Sequence, residues 1–396
     1  MHDINAIKQY LINFFSEGEK QKNDFNIGVE LEHFIVERDG LKNVSYYSDT
    51  GVGQILNDLL PLYPVSYYEE NELLGVANDD YSITLEPGSQ LEISINPRRC
   101  IMSIEKIYNS FYEIITECLG KNDYILSTYG YLPASSANDI KLLPKKRYEF
   151  MDRHFSKTGT MGINMMRGTA SGQVSIDYYN EADFVLKTRI AYFLTPILSY
   201  MASNSPVFEG EANTNPLLRT LIWRNTDKQR TGVITGLFDD DFGYEKYAEY
   251  VLNAPAIFRD VDNSFTETKQ SALDVMRESE NLAEAAELYI SLMFPDVRLK
   301  QYIEIRVADS MPMIKVLGYA AFIKGLFSAP IEVEALFKKE DFTEESIISA
   351  ENNLMRNNPI IYGVDINIII EKLVKIAQSH LSEDEQVYLQ SFLIKE

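Results

Sequence analysis

Four stretches of this chain alternate carboxylates with oily residues at a period of two: Ile27–Val36 (IGVELEHFIV), Thr84–Ile95 (TLEPGSQLEISI), Gly172–Tyr178 (GQVSIDY) and Gln301–Asp309 (QYIEIRVAD). In a β-strand, residues i and i+2 share a face. Glu30 and Glu32 therefore point one way, as do Glu86, Gln90 and Glu92, then Gln173, Ser175 and Asp177, then Glu304 and Arg306. The opposite faces hold Val29/Leu31, Leu91/Ile93, Val174/Ile176 and Ile303/Ile305, which suit a core. If the strands join one sheet, its polar face gathers five glutamates and an aspartate against one arginine and no lysine. Two carboxylates about 5 Å apart repel by roughly 3 kcal/mol at an effective dielectric near 20. Such a face needs cations, and all-oxygen ligand sets suit Mg²⁺ or Mn²⁺. An ordinary half-solvated antiparallel sheet is the alternative, but a solvated face usually mixes signs and threonines. The pattern points to a divalent-metal site built on a sheet.

The rest of the chain narrows the chemistry. With 396 residues, 45% hydrophobic and 12% aromatic, it can bury a large core. A formal charge of −22 argues against nucleic acid or an anionic membrane as partner, since both demand basic surface. The first twenty residues are charged throughout and resemble an amphipathic helix rather than a signal peptide, and no stretch approaches the ~20 apolar residues of a membrane span. The expected location is cytoplasmic. Cys100 and Cys118, on a shared helix, would sit about 27 Å apart and could not pair. The histidines (His2, His33, His154, His380) have no zinc spacing. No GxxxxGK[ST] loop exists, and the GVG at 51–53 is too short for a dinucleotide fingerprint, so any ATP must be held by metals and arginines.

Periodicity predicts helices over about 1–20, 101–119 (with Ile101, Ile104, Tyr108, Phe111 and Ile115 on one side), 181–203, 269–293, 313–327, 343–355, 365–379 and 383–394. Pro144–Tyr148 (PKKRY) is a basic cluster in an acidic chain. Residues 205–232 are loop-rich and hold Arg219, Trp223, Arg224, Asp227 and Arg230. Arginines around this lone tryptophan could clamp carboxylates or phosphates. Strands from both halves share the acidic face, so the expected organisation is one catalytic unit over 1–329 with a helical appendage over 330–396.

In this order and with their neighbours, several words of the sequence resemble the plant-type glutamate–cysteine ligase family: GVELEHF (28–34), LEPGSQLEIS (85–94), LPKKRYEFM (143–151), TGTMGINMM…QVSIDY (158–178), SNSPVFEG (203–210), RTLIWRNTDKQRTG (219–232), FGYEKYAEYVLNAP (242–255) and FPDVRLKQYIEIRVAD (294–309). The resemblance implies an α+β fold with a glutamine synthetase-like catalytic core. That core is a curved, mostly antiparallel sheet with helices on its convex side and a helical C-terminal region. It also implies an ATP- and Mg²⁺-dependent (or Mn²⁺-dependent) ligation of the glutamate γ-carboxylate to the amine of L-cysteine through a γ-glutamyl phosphate. On this resemblance Glu30, Glu32, Glu86, Glu92 and Glu304 would hold metal. Arg306 and Glu304 would act in catalysis, with Arg306 meeting phosphoryl oxygens. Arg147, Arg219 and Trp223 would bind substrate, and Gln173, Asp227 and Arg230 would border ATP.

The chain also departs from that family's pattern. Gly168 stands in an arginine place, Ser175 in an asparagine place, Ile257 in an aromatic place after Pro255, and Val307 in a glycine place. The cysteine pairs of the plant enzymes have no counterpart. Two further readings therefore stay open: a ligase of the same chemistry with a different amine or acid, and a catalytically silent relative that binds nucleotide.

Overall fold

The structure, a computed structural model, describes residues 2–261 and 264–394. Nine strands form the central sheet: β1 (Ile27–Glu37), β2 (Val65–Glu69), β3 (Glu72–Ala77), β4 (Tyr81–Leu85), β5 (Leu91–Arg98), β6 (Tyr124–Ser127), β7 (Gly172–Ile176), β8 (Val297–Leu299) and β9 (Ile303–Ile305). Their order is β8-β9-β7-β1-β5-β4-β3-β2, with β6 pairing the far end of β1. Every pairing in the sheet is antiparallel. The four acidic segments converge on it as contiguous strands: β9, β7, β1 and β5.

The segment 84–95 does not form one strand as the alternation predicted. It folds back on itself as β4 and β5. Pro87 has no amide N–H for a ladder, and Ser89 adopts a left-handed turn with φ +69°. The Glu86 amide donates to the Gln90 carbonyl (2.9 Å) and Ser89 to the Glu86 carbonyl (2.8 Å), closing a tight hairpin. Glu86 thus sits at the turn. The register Thr84↔Glu92 and Leu85↔Leu91 keeps it on the polar side with Glu92. The strand expected over 301–309 is likewise short, and a preceding hairpin partner, β8, joins it.

The apolar face of the sheet is buried: Val29, Leu31, Ile83, Ile93, Val174, Ile303 and Ile305 are at most 1% exposed. The helix Ile101–Gly120 covers part of it with Ile101, Ile104, Tyr108, Phe111 and Ile115, the residues its periodicity singled out. Beside it the helix Met313–Ser328 is buried on nearly all sides because it is sandwiched between the sheet and the C-terminal helices Ile366–Ser379 and Glu383–Leu393. Two glycines permit that close approach. A Cβ on Gly318 would fall 2.4 Å from the Tyr388 carbonyl, and one on Gly325 2.5 Å from that of Ala377. The helix expected over 269–293 is two, Ala272–Glu278 and Leu282–Ser291. No helix among the described residues is long and apolar enough to cross a membrane.

Candidate active site

The register of the central strands sets the polar face. Glu30 on β1 lies opposite Ser94 on β5 and Gln173 on β7; Glu32 lies opposite Glu92; Glu304 on β9 lies between Ser175 on β7 and Arg298 on β8. Each side chain is held differently. Glu32 accepts from the Ser171 amide (2.7 Å) and weakly from Gln173 (3.5 Å). Glu92 accepts from Thr84 and Ser94 (3.1 and 3.0 Å). Glu30 accepts no side-chain hydrogen bond among the described residues.

Burial and mutual repulsion push three of these carboxyls toward protonation. Burial, then Glu86, raises Glu32 to about 7 against the pull of Arg219. Burial, then Glu304, raises Glu30; burial, then Glu30, Glu86 and Glu32, raises Glu92 well above the ordinary range. Glu304 goes the other way. Burial opposes its ionisation, but Arg298 first, then Lys300 and Arg306, outweigh that and hold it well below the usual carboxylate range. Arg298 grips it with two nitrogens (2.7 and 3.1 Å), Arg306 approaches to 2.7 Å and Lys300 to 3.2 Å. The face therefore contains Arg298 and Lys300 besides Arg306, correcting the expectation of one arginine and no lysine. Hairpin periodicity run backwards through β8 would have placed both on the face of Glu304, with Arg298 directly opposite it. The turn between β8 and β9 (KQY) lacks the glycine, proline or asparagine that marks a hairpin.

No group of three or more His, Cys, Asp or Glu side chains among the described residues already converges at ligand distance, so the fit to a divalent cation rests on donor chemistry. Glu30, Glu32 and Glu92 supply hard oxygens at neighbouring register positions and Glu86 adds one from the adjoining turn, with mutual repulsion that a cation would relieve. That set fits Mg²⁺ or Mn²⁺. Glu304 does not, because both its oxygens already accept from cations. Its arrangement is that of a clamp on Arg306, whose guanidinium also donates to Gln173 (2.6 Å).

Beside this acidic row lies a cationic recess lined by Arg219, Thr220, Trp223, Asp296, Arg306 and Val307. Arg219 donates its Nε to the Arg306 carbonyl (3.1 Å), and both guanidinium groups lie over the Trp223 ring (5.3 and 5.8 Å). Arg219 is 6% exposed, yet among the described residues its Nη1 has no partner, and neither do Trp223 Nε1 and, nearby, Ser171 Oγ and Asp309 Oδ1. Buried polar atoms are almost always paired, so the orphans around this one arginine are unused hydrogen-bonding capacity at the recess. Arg147, in the first turn of the helix Lys146–Thr158, also leaves its buried Nε unpaired. Lys145 before it, pushed down to about 8 by burial and then by Arg147, is a further cation on this side and belongs to the basic cluster seen at 144–148.

At the other end, beyond Glu30, a cavity of about 200 Å³ is floored by small residues, Gly28, Ser82, Ser94 and Ser175, and walled by Tyr302 and Lys20. Ser175, in the family's asparagine place, contributes to this low floor.

Other expected site residues are placed elsewhere. Asp227 accepts from His154 (2.7 Å), the Gln229 amide (3.0 Å) and Arg230 (2.9 Å). Arg230 is 1% exposed and its remaining contact is the Pro255 carbonyl. The pair ties two loops together and presents no exposed donor to a nucleotide, which corrects its expected direct contact with ATP. Gln90 is spent on the Gly88 amide (2.7 Å) and the Thr169 carbonyl (2.8 Å). Asp177 turns to Lys20 and the Asn26 amide (both 2.7 Å). Gly168 has a local reason: a Cβ there would lie 2.7 Å from the Tyr131 ring, so that ring fills the space in front of it.

The sequence profile of the glutamate–cysteine ligase family 2 (GCS2) matches residues 26–361. A chloroplastic glutamate–cysteine ligase of Arabidopsis thaliana is 29% identical over 393 residues, covering 94% of this chain and 73% of that protein. The chloroplastic glutamate–cysteine ligase B of Oryza sativa subsp. japonica is 32% identical over 364 residues, covering 89% and 72%. Among solved structures, a glutamate–cysteine ligase from Francisella tularensis in complex with AMP is similar, with a TM-score of 0.56 at 12% identity over 93% of this chain and 80% of that one. That similarity bears on the fold. The cytoplasmic location expected from the sequence is overturned by these relatives, which are chloroplastic enzymes.

Proposed function

The chain belongs to the glutamate–cysteine ligase family 2, and from that premise we propose that it joins the γ-carboxylate of L-glutamate to the amine of L-cysteine at the expense of ATP, making γ-glutamylcysteine. The observation that carries the reading is the juxtaposition of an acidic row, Glu30, Glu32 and Glu92, with the Arg219–Trp223–Arg306 recess on one sheet face.

In the first step a γ-carboxylate oxygen of glutamate attacks the terminal phosphorus of ATP, the bond to the β-phosphate oxygen breaks, and ADP leaves. In the second the cysteine amine attacks the acyl phosphate carbon, phosphate departs with the bonding pair, and the amine loses a proton. Both partners of the first step are anions, so catalysis is mostly positioning and charge compensation. Mg²⁺ or Mn²⁺ held by Glu30, Glu32, Glu86 and Glu92 would neutralise the triphosphate. Arg219 supplies the orphaned Nη1 to the glutamate α-carboxylate, with Trp223 as the wall of that recess, and Arg147 adds a second cation toward substrate. Arg306, steered by Glu304 and Gln173, stands where the migrating phosphoryl group passes. The small-residue floor beside Glu30 suits the nucleoside end of ATP. Residues 1–329 form the catalytic unit, which the helices of 330–396 buttress.

A second reading keeps this chemistry and changes the amine. Tyr131 fills the space before Gly168, where the plant pattern has arginine, and Ile257 is buried in the family's aromatic place. Phosphate release from ATP and Mg²⁺ with L-glutamate, with and without L-cysteine, separates the two when the product is weighed by mass spectrometry. Cysteine-dependent release of γ-glutamylcysteine supports the first, and release with another amine only supports the second. No glutamate-dependent release at all would sink both.

A further inference from the structure

Arg224, next in the chain after Trp223, ties the edge of the recess to a segment 127 residues further on. Its guanidinium grips Asp296 with Nη1 and Nη2 (2.9 and 2.5 Å) and, on its other edge, Glu351 with Nε (3.1 Å) and again with Nη2. Glu351 belongs to the helix Glu344–Met355 in the C-terminal region and is 3% exposed; Asp296 is 8% exposed. Two buried carboxylates thus share one guanidinium, an arrangement that is costly unless its hydrogen bonds are complete. The fit around it is tight. Gly232 has φ +88°, and a Cβ there would meet Arg224 Nη1 at 2.9 Å. Asp296 passes the geometry on. Its carbonyl accepts from the Arg306 amide (3.0 Å), its amide donates to the Gly232 carbonyl (3.1 Å), and it lines the recess with Arg219, Trp223 and Arg306.

We infer that Glu351 is a positioning residue for this recess: through Arg224 and Asp296 it fixes where Trp223 and Arg306 stand. The C-terminal helices are then part of the machinery and not only packing. The kinetic side of this inference rests on the recess being the glutamate site.

The chain's single tryptophan lies in the recess, so Trp223 emission reports on it without turnover. The test uses the full-length protein and the variants Glu351→Gln, which keeps size and removes charge, and Glu351→Asp, which keeps charge. Quenching of Trp223 by acrylamide without substrate, and KM for glutamate and for ATP, are measured on each. Losing a buried charged hydrogen bond predicts easier quenching and a roughly tenfold higher glutamate KM in Glu351→Gln. The ATP KM should rise less, because only the terminal phosphate reaches Arg306 while the nucleoside end lies at the opposite end of the face. Glu351→Asp should recover part of both. Wild-type quenching and KM in a folded Glu351→Gln, or equal rises in both KM values, would overturn the inference. If Glu351→Gln does not fold, Glu351→Asp decides alone: altered quenching with a raised glutamate KM supports it, wild-type values reject it. Should the wild type release no phosphate with glutamate, the ligase reading fails, while quenching still tests the Glu351 link.

Discussion

Glu32 on β1 lies directly across the ladder from Glu92 on β5. Like charges in that relation destabilise a sheet, and both carboxyls are pushed upward by burial and by other carboxylates. Glu92→Gln should therefore stabilise the protein in EDTA by about 1 kcal/mol, seen as a higher urea midpoint. The same change should weaken stabilisation by Mg²⁺ and reduce turnover by roughly a hundredfold. Unchanged Mg²⁺ stabilisation would remove Glu92 from the metal set.

Glu304 predicts the opposite sign on the same face. It is fully buried and ion-paired with Arg298, Lys300 and Arg306. Removing one partner from such a cluster leaves uncompensated cations, so Glu304→Gln should cost about 3–5 kcal/mol in stability, with or without Mg²⁺. A Glu304→Gln protein as stable as wild type in EDTA would mean that the clamp contributes nothing, returning Glu304 to the candidate metal ligands.

Much of this was visible in the sequence, for a physical reason. Period-two alternation names the two faces of a strand irrespective of neighbours, so Glu30/Glu32, Glu92, Gln173 and Glu304 could be put on one side before any pairing was known. Alternation does not say where a strand turns back. It ran straight over the hairpin at Pro87–Ser89 and gave no sign of the partner strand β8, and so missed the cations that hold Glu304. Arg230 and Asp227 looked like ligand contacts because burial is not written in a motif. Glu351 had no local signal at all, since its partner lies 127 residues away.

The Gly168–Tyr131 contact predicts a coupled pair. Gly168→Ala puts a Cβ 2.7 Å from the ring, an overpacking that costs about 1–3 kcal/mol. In a Tyr131→Ala background the same change should cost nearly nothing, giving a double-mutant coupling above ~1 kcal/mol in denaturant melts. Additive effects would show that the ring does not occupy this space in solution.

His33, on the buried side of β1, predicts a pH dependence. The Ser127 carbonyl can only accept, so Nδ1 donates to it (3.3 Å). That leaves Nε2 bare to accept from the Tyr108 hydroxyl (3.1 Å), and both contacts are met by the neutral ring. Burial pushes its pKa down to about 4, against the weaker pull of the Ser127 carbonyl. An unfolded histidine titrates near 6.5, so between those values the unfolded chain binds a proton that the folded one refuses. The stability His33 contributes is thus complete above pH 6.5 and lost as pH falls toward 4, by roughly 3 kcal/mol in all. The raised carboxyls Glu30, Glu32 and Glu92 act with the opposite sign in part of this window, so the quantity to measure is the difference between wild type and His33→Gln. That difference should shrink steadily from pH 6.5 to 4. A constant difference would mean that the imidazole charges inside the fold, with the Tyr108 hydroxyl turned to accept from it.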